Sequence, residues 1–281
     1  MSRLYLVGTP IGNLGDLSPR AVEVLGSVDF IAAEDTRVTL KLLNHFGIKK
    51  PLVSYYAHNL RERGQVIVAR ILAGERCAIV TDAGMPCISD PGEDLVRLCA
   101  EAGVPVEAVP GPSAAVTALA VSGLPTSRFA FEGFLSVKRN SRSAHLAQVK
   151  DDPRTLIFYE APHKLLATLN DLLEAFGNRR ISLARELTKL HEEVRRTTLS
   201  EAVEWYAEHP PRGEFVLVVE GAQVRLDEPP TLEEAVELVQ ALAAGGMSLS
   251  DAAKEAARQT GYKKGELYKH SLNVPVPEQE G

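Results

Sequence analysis

Cys77-Ala-Ile-Val80 is an unbroken apolar run, and it empties into Thr81-Asp-Ala-Gly-Met-Pro-Cys-Ile-Ser-Asp-Pro-Gly92 before a helical pattern begins. A short run of this kind reads as a strand buried on both faces, the signature of a parallel sheet. The loop that follows is built from small residues, two prolines and two carboxylates. In an open α/β sheet, ligands bind just beyond the carboxyl ends of the strands. Ala83 and Gly84 let a ligand approach the backbone there, while Pro86 and Pro91 stiffen the turn. The plainer alternative is a tight strand-to-helix connection, and on either reading Asp90 is expected to cap the helix that follows.

Two further loops share this character. Gly8-Thr-Pro-Ile-Gly-Asn-Leu14 follows the apolar run Leu4–Val7, and Val109-Pro-Gly-Pro-Ser-Ala-Ala115 follows residues 104–109. Between them strands and helices alternate. Strands are predicted at 4–7, 30–33, 77–81 and 104–109. Helices are predicted from Ser18-Pro19, from Thr36, over 60–72, over 93–102 and from Pro112. Such regular alternation predicts a parallel sheet with helices on both faces, so all three loops should project from one sheet edge.

After Leu124-Pro125 the pattern changes. Strand candidates fall at 129–134, 155–159, 181–184, 194–198 and 215–219, and a clean apolar stripe marks a helix over 163–176. This second half reads as mixed rather than parallel. The fold class is α/β, with an N-terminal α/β domain over 1–123 and a C-terminal mixed α/β domain over 124–226. Asp227-Glu-Pro-Pro230 reads as a linker to a helical extension over 231–275 with helix-turn-helix character. That tail either recognises nucleic acid or packs as an appendage.

Composition narrows the function classes. The 281 residues are 45% hydrophobic and 24% charged, with three cysteines and seven histidines in no metal-ligand spacing. Neither a disulfide nor a metal is expected. No apolar run approaches the ~20 residues of a membrane span, and the amino terminus lacks signal-peptide architecture, so a cytoplasmic location is expected. The net charge of −6 argues against a polyanionic partner, but its distribution argues for one. Eight Lys and Arg residues stand between Thr36 and Arg76 against only Glu62 and Glu75, and Lys138 through Lys150 contains no acid.

Neither the Gly-x-Gly-x-x-Gly fingerprint of dinucleotide sites nor a P-loop is present. The three loops therefore suit a ligand with an adenosyl part, an amino group and a sulfonium cation better than a nucleoside triphosphate. At this point the motifs carry a resemblance. They are Val7-Gly-Thr-Pro-Ile-Gly-Asn13, Glu34-Asp-Thr-Arg37, Ser54-Tyr-Tyr-Ala-His-Asn59, Asp82-Ala-Gly84, Ile88-Ser-Asp-Pro-Gly92, Pro110-Gly-Pro-Ser-Ala114, Tyr159-Glu-Ala-Pro-His163 and Arg185-Glu-Leu-Thr-Lys189. In this order they resemble the small-subunit ribosomal RNA methyltransferase I group, within the tetrapyrrole methylase-like S-adenosylmethionine methyltransferases. The likeness spans residues 3–222. Met85, Cys87, Ser136 and Lys164 depart from the usual pattern without removing a charged group.

The resemblance implies a two-domain homodimer that binds S-adenosylmethionine between its domains. It implies methylation of the ribose 2′-oxygen of a cytidine in the decoding region of 16S ribosomal RNA, with the assembled small subunit the expected acceptor and free RNA left open. Carried over by residue, it implies donor contacts from Pro10, Asp82, Ala83, Gly84, Ile88, Ser89, Ser113 and Ala114. From the second half it implies Tyr159, Leu187 and Val216.

A ribose hydroxyl is a poor nucleophile, so a base or a cation near it should help. Asp35, His58, Glu186 and Lys189 are the candidates, with Asp35 or His58 taking the proton and Lys189 orienting the RNA. Arg37, Lys138, Arg139 and Arg142 are the expected phosphate contacts. Two alternatives stay open: a tetrapyrrole methylase of precorrin type, and a non-catalytic ribosome-associated RNA-binding protein.

Overall fold

The computed structural model describes residues 2–56, 60–223 and 230–272, and the statements below concern these residues. The chain divides into two compact units, residues 1–222 and 223–281. In the first, β1 (Leu4–Val7), α1 (Pro19–Ser27), β2 (Phe30–Ala33), α2 (Thr36–His45), β3 (Leu52–Ser54), α3 (Leu60–Leu72), β4 (Cys77–Val80), α4 (Glu93–Glu101), β5 (Val106–Val109) and α5 (Ala114–Val121) follow in order. The five strands form one sheet in the order β3-β2-β4-β1-β5, and every pairing is parallel.

Strand alternation assigns the helices to faces. Phe30 and Ala32 of β2 pack with Ile67 and Ile71 of α3 and Leu95 and Cys99 of α4. Ile31 and Ala33 point the other way, onto Ala21 and Leu25 of α1 and Leu43 of α2. The adjacent strands β1 and β4 thus send their chains to opposite faces, towards α1 and α4. That is a topological switch point, where a crevice opens at the carboxyl ends of the strands. The loop at 81–92 lies in it.

The same geometry corrects one sequence expectation. The basic residues of 36–76 do not gather on one surface, because α2 and α3 cover opposite faces of the sheet. Arg70 lies over the Phe30 ring at 3.5 Å and pairs with Glu75 at 2.5 Å, and Arg76 pairs with Asp29 at 3.6 Å.

The rest of the first unit comprises β6 (Phe129–Phe134), α6 (Arg139–Val149), β7 (Thr155–Glu160), α7 (Leu165–Phe176), β8 (Arg180–Arg185), β9 (Glu193–Thr198), α8 (Leu199–Glu208) and β10 (Phe215–Val219). The sheet order is β6-β7-β10-β8-β9, with β6 parallel to β7 and the other pairs antiparallel. Leu156 and Phe158 of β7 and Phe215, Leu217 and Val219 of β10 pack with residues of α7 and α8. The alternate residues, Ile157, Val216 and Val218, pack on Ala115, Ala118 and Leu119 of α5. The helix that ends the first sheet therefore also covers the second.

Three elements escaped the sequence reading: β3, α6 and α8, the last a ten-residue helix between the expected strands at 194–198 and 215–219. β3 has three half-buried residues at a sheet edge, too few to show a period. α6 buries only Leu146, so its polar residues read as a charge run rather than as a helix.

The second unit contains α9 (Leu232–Ala244), α10 (Leu249–Thr260) and α11 (Lys264–Ser271). They close on Val236, Val239, Ala252, Ala256 and Leu267. Thr231 caps α9 in a reciprocal capping box with Glu234, and Ser248 caps α10. Most of the expected linker, residues 227–229, falls outside the described residues. No helix among the described residues is long and apolar enough to cross a membrane.

Candidate active site

The three loops are fastened to one another by backbone contacts. Thr9 N–H donates to the Gly84 carbonyl at 2.9 Å and Gly84 N–H returns to Thr9 O at 3.2 Å, a one-rung antiparallel bridge between the first loop and the second. Thr9 Oγ1 also donates to Thr81 O at 3.1 Å. The first and third loops touch at Gly8 and Gly111, where any Cβ on Gly111 would lie 2.8 Å from Gly8 Cα. Glycine is required there by space.

Facing these loops is a cross-strand row. Phe134 is in register with Tyr159, Tyr159 with Val216, and Val216 with Ala184, so one residue from each of four adjacent strands meets on the face away from α7. Tyr159 packs edge-on against Phe131 and Phe134, and its hydroxyl accepts from Ala115 N–H at 3.1 Å. That bond ties the amino end of α5 to the second sheet.

Loops and row together enclose a cavity of about 540 Å³, within the size range of small-molecule sites. Asp82, Ala83, Gly84, Ile88 and Ser89 line it from the second loop, and Ser113 and Ala114 from the third. Tyr159, Leu187 and Val216 line it from the second sheet and its β8–β9 connection. Pro10 does not; Ile11 takes its place, so the first loop presents the residue one further on.

The cavity wall is acidic. Glu34, Asp82, Asp90, Glu160, Glu186 and Glu214 face it against one cation among the described residues, Lys189. Glu186 Oε1 accepts from Lys189 Nζ at 2.9 Å and from Glu214 N–H at 3.0 Å, and Glu214 Oε2 accepts from Lys189 at 3.0 Å. The Glu214 N–H and the Lys189 ammonium hold the Glu186 carboxyl below its ordinary range. Burial pulls the Lys189 ammonium down, but its bonds to Glu186 and Glu214 outweigh that and leave it raised. Lys189 thus sits in the cavity wall as a fixed, neutralised cation.

Glu34, Asp82 and Asp90 behave differently. Burial raises all three carboxyls. Glu34 is raised further by Asp82, Asp82 by Asp35, and Asp90 by Glu34 and Asp82, which brings Asp90 up to about 6. Asp90 is therefore not the helix cap expected from sequence. The residue at the N-cap of α4 is Gly92, and no side-chain cap bond is made there among the described residues. Proline at 91 and Gly92 at φ +140° carry the chain past Asp90 and leave its carboxyl facing the cavity.

Asp35 is the second correction. It caps α2, accepting from Arg37 N–H at 2.8 Å, and its carboxylate is gripped by the Arg37 guanidinium at 3.0 and 2.6 Å. These bonds hold it down at about 2, and it does not line the cavity. A carboxylate so stabilised is a poor proton acceptor. His58 lies outside the described residues.

Of the expected RNA contacts, Lys138 and Arg139 are exposed and their side chains make no ion pair among the described residues. Arg142 is different: it pairs with Asp171 at 2.7 Å and only 17% of its side chain is exposed. It braces α6 on α7 and is not available to a phosphate. Arg37 is exposed, though bound to Asp35. Sequence reasoning missed Glu34, because its neighbour Asp35 carried the attention. It also missed Phe134 and Ala184, which only the strand register reveals.

All four described non-glycine residues with left-handed backbone, Cys87, Ser89, Glu186 and Thr188, sit in the two loops that face each other here, at φ of 72°, 64°, 50° and 66°. Strain of this kind persists where the surroundings over-determine a conformation, and it concentrates at functional sites.

Fold and site together define the class: residues 3–203 match the family of tetrapyrrole (corrin/porphyrin) methylases, and residues 229–273 match a model described as the RsmI C-terminal HTH domain. Solved structures similar to this chain include a uroporphyrin-III-C-methyltransferase from Thermus thermophilus (TM-score 0.56, 23% identity, 78% of this chain and 94% of that one). A diphthine synthase is also similar (TM-score 0.60, 15% identity, 78% and 90%); both likenesses concern the fold. The chain is 49% identical over 276 residues to the ribosomal RNA small subunit methyltransferase I of Synechocystis sp., covering 98% of this chain and 99% of that protein. It is 45% identical to that of Escherichia coli O157:H7, covering 96% and 94%. The relative from Thermotoga maritima is 48% identical and wholly covered, by 79% of this chain. This chain belongs to the ribosomal RNA small subunit methyltransferase I family.

Proposed function

We propose that the protein transfers a methyl group from S-adenosylmethionine to the ribose 2′-oxygen of a cytidine in 16S ribosomal RNA. Family membership supports the methylase activity and the ribosomal acceptor. The observation that carries the donor assignment is the cavity: three small-residue loops against an apolar cross-strand row, with Glu34, Asp82 and Asp90 at its wall, none of them in an ion pair with a cation among the described residues. A sulfonium and an ammonium suit such a wall, whereas a polyphosphate is repelled by it. When bound, S-adenosylmethionine would supply an electrophilic methyl on a cationic sulfur.

Ala83, Gly84, Ser113 and Ala114 would allow close backbone approach to the donor, and Ile11, Ile88, Leu187 and Val216 would wall its apolar part. Holding donor and acceptor in line is the main service of such a site, since effective molarity contributes up to ~7–11 kcal/mol. In this reading residues 1–123 and 124–226 are the two halves that embrace the donor. Assembly as a homodimer and the small subunit, rather than naked RNA, as acceptor belong to the same reading.

Radiolabelled S-adenosylmethionine offered with naked 16S RNA, with small subunits and with uroporphyrinogen tests the acceptor class. Label is expected in the RNA of small subunits, and label in the tetrapyrrole would contradict the proposal. The exposed pair Lys138 and Arg139 gives a separate expectation. Replacing both with Ala should weaken RNA binding and flatten the log K against log salt slope by about 1.4–1.8, since each phosphate contact contributes ~0.7–0.9. Arg142→Ala should leave that slope unchanged, because its charge is spent on Asp171. A filter-binding titration across a salt series checks both.

A further inference from the structure

We propose that Asp90 is the base that takes the proton from the acceptor hydroxyl as the methyl group is transferred. This rests on the function proposed above and names the residue that the sequence left unidentified.

Partnership distinguishes the carboxylates of the cavity. Glu160 accepts from Ala161 N–H at 2.8 Å and from Thr168 Oγ1 at 2.6 Å. Glu186 and Glu214 share Lys189. Asp82 Oδ1 accepts from Asp35 N–H at 3.1 Å, and the Asp82 backbone N–H steadies Glu34. Asp90 has no hydrogen-bond or ion-pair partner among the described residues, and it lines the cavity between Ser89 and the start of α4.

The groups that act on it are anions or neutral: Glu34 from the end of β2, Asp82 from the end of β4, Tyr159 from β7, and Cys87 in its own loop. None is a cation that would quench its basicity. The loop holds it in place through left-handed residues at Cys87, Ser89 and Gly92, of which only the last is a glycine. A general base works best when its pKa lies just below the operating pH, and burial with two neighbouring anions brings Asp90 there, to about 6. Asp35 at about 2 is far weaker.

The step balances within the proposed reaction. The ribose O–H bond breaks and its proton passes to the Asp90 carboxylate. The oxygen lone pair forms the O–CH₃ bond, and the methyl–sulfur pair stays on sulfur, leaving a neutral thioether. Solvent then takes the proton from Asp90. The value of kcat/KM should rise with pH through about 6 and level off above it, because only the ionised carboxylate of the free protein accepts a proton.

The test compares the full-length wild type, Asp90→Asn and Glu34→Gln, with small subunits and S-adenosylmethionine as substrates. Asp90→Asn is expected to lower kcat by at least about a hundredfold and to abolish the acid limb near pH 6. Glu34→Gln removes a like charge and should move that limb to lower pH, a shift that a purely structural role would not produce.

Stability supplies a readout without turnover. A carboxyl raised in the folded state contributes its stability below its unfolded value, and loses it as pH rises through about 6. Asp90→Asn should therefore raise Tm by about 2–4 °C at pH 8 and leave it unchanged at pH 4. If Asp90→Asn keeps its kcat, or keeps the acid limb, or only weakens donor binding, Asp90 is not the base. If the wild type methylates no small subunits, the parent reading fails and carries this one with it; failure of the variant tests alone leaves the parent reading standing.

Discussion

Gly111→Ala is expected to weaken S-adenosylmethionine binding by about ten- to a hundredfold. A Cβ at Gly111 would stand 2.8 Å from Gly8 Cα and 2.9 Å from both the Gly8 carbonyl carbon and its oxygen. All three are backbone atoms, so no rotamer change relieves the contact. The loops must separate, and with them Ile11 on one side and Ser113 and Ala114 on the other, which line the same cavity. Overpacking of this kind costs about 1–3 kcal/mol, and each ~1.4 kcal/mol is tenfold in affinity. Isothermal titration with the donor measures the loss directly. The same exchange at Gly26, in α1, meets nothing within 4 Å and should instead stabilise the chain, by up to about 1 kcal/mol. One substitution with opposite signs at two sites separates a requirement for space from a general effect of glycine.

Phe158→Ala is expected to lower the unfolding free energy by about 3–5 kcal/mol. Phe158 is 0% exposed on β7, packed among Leu165, Leu169 and Phe176 and facing α7. Its neighbour Tyr159 points the other way, into the cavity. Because domains carry only ~5–15 kcal/mol in total, such a loss consumes a large part of the margin. Urea unfolding monitored by fluorescence reads it. A loss below about 1 kcal/mol would mean that this face of the second sheet is not the packed core the structure shows.

Four strands of the first sheet, all but the three-residue edge strand β3, were legible in the sequence because their features are local. Cys77–Val80 is apolar throughout, Ser18-Pro19 opens a helix, and the three loops of the cavity announce themselves by Gly, Pro and small residues. The second sheet was legible as strands, but its contribution to the site was only partly so. Tyr159, Val216, Ala184 and Phe134 are separated by up to 82 residues in sequence and become neighbours through strand register, which no local pattern encodes.

The carboxylates show a deeper limit. Glu34 and Asp35 are adjacent and chemically alike, yet Asp35 is spent on Arg37 and the start of α2 while Glu34 faces the cavity. Asp90 has the position of a cap in sequence and the environment of a base in the structure, because Pro91 and Gly92 intervene before α4 begins. Charge was misread for the same reason. The basic run of 36–76 is continuous along the chain but divided by the sheet in space, and Arg142 is consumed by Asp171.

The central claim is that one acidic, small-residue cavity serves methyl transfer to a ribose hydroxyl of 16S RNA. Small subunits lacking the modification, incubated with the protein and S-adenosylmethionine, can be digested to nucleosides and analysed by mass spectrometry. The expected result is one methylated cytidine per 16S RNA, with the added mass on the sugar fragment. A methyl on the base fragment, or no methylated nucleoside while the donor is bound, would contradict it.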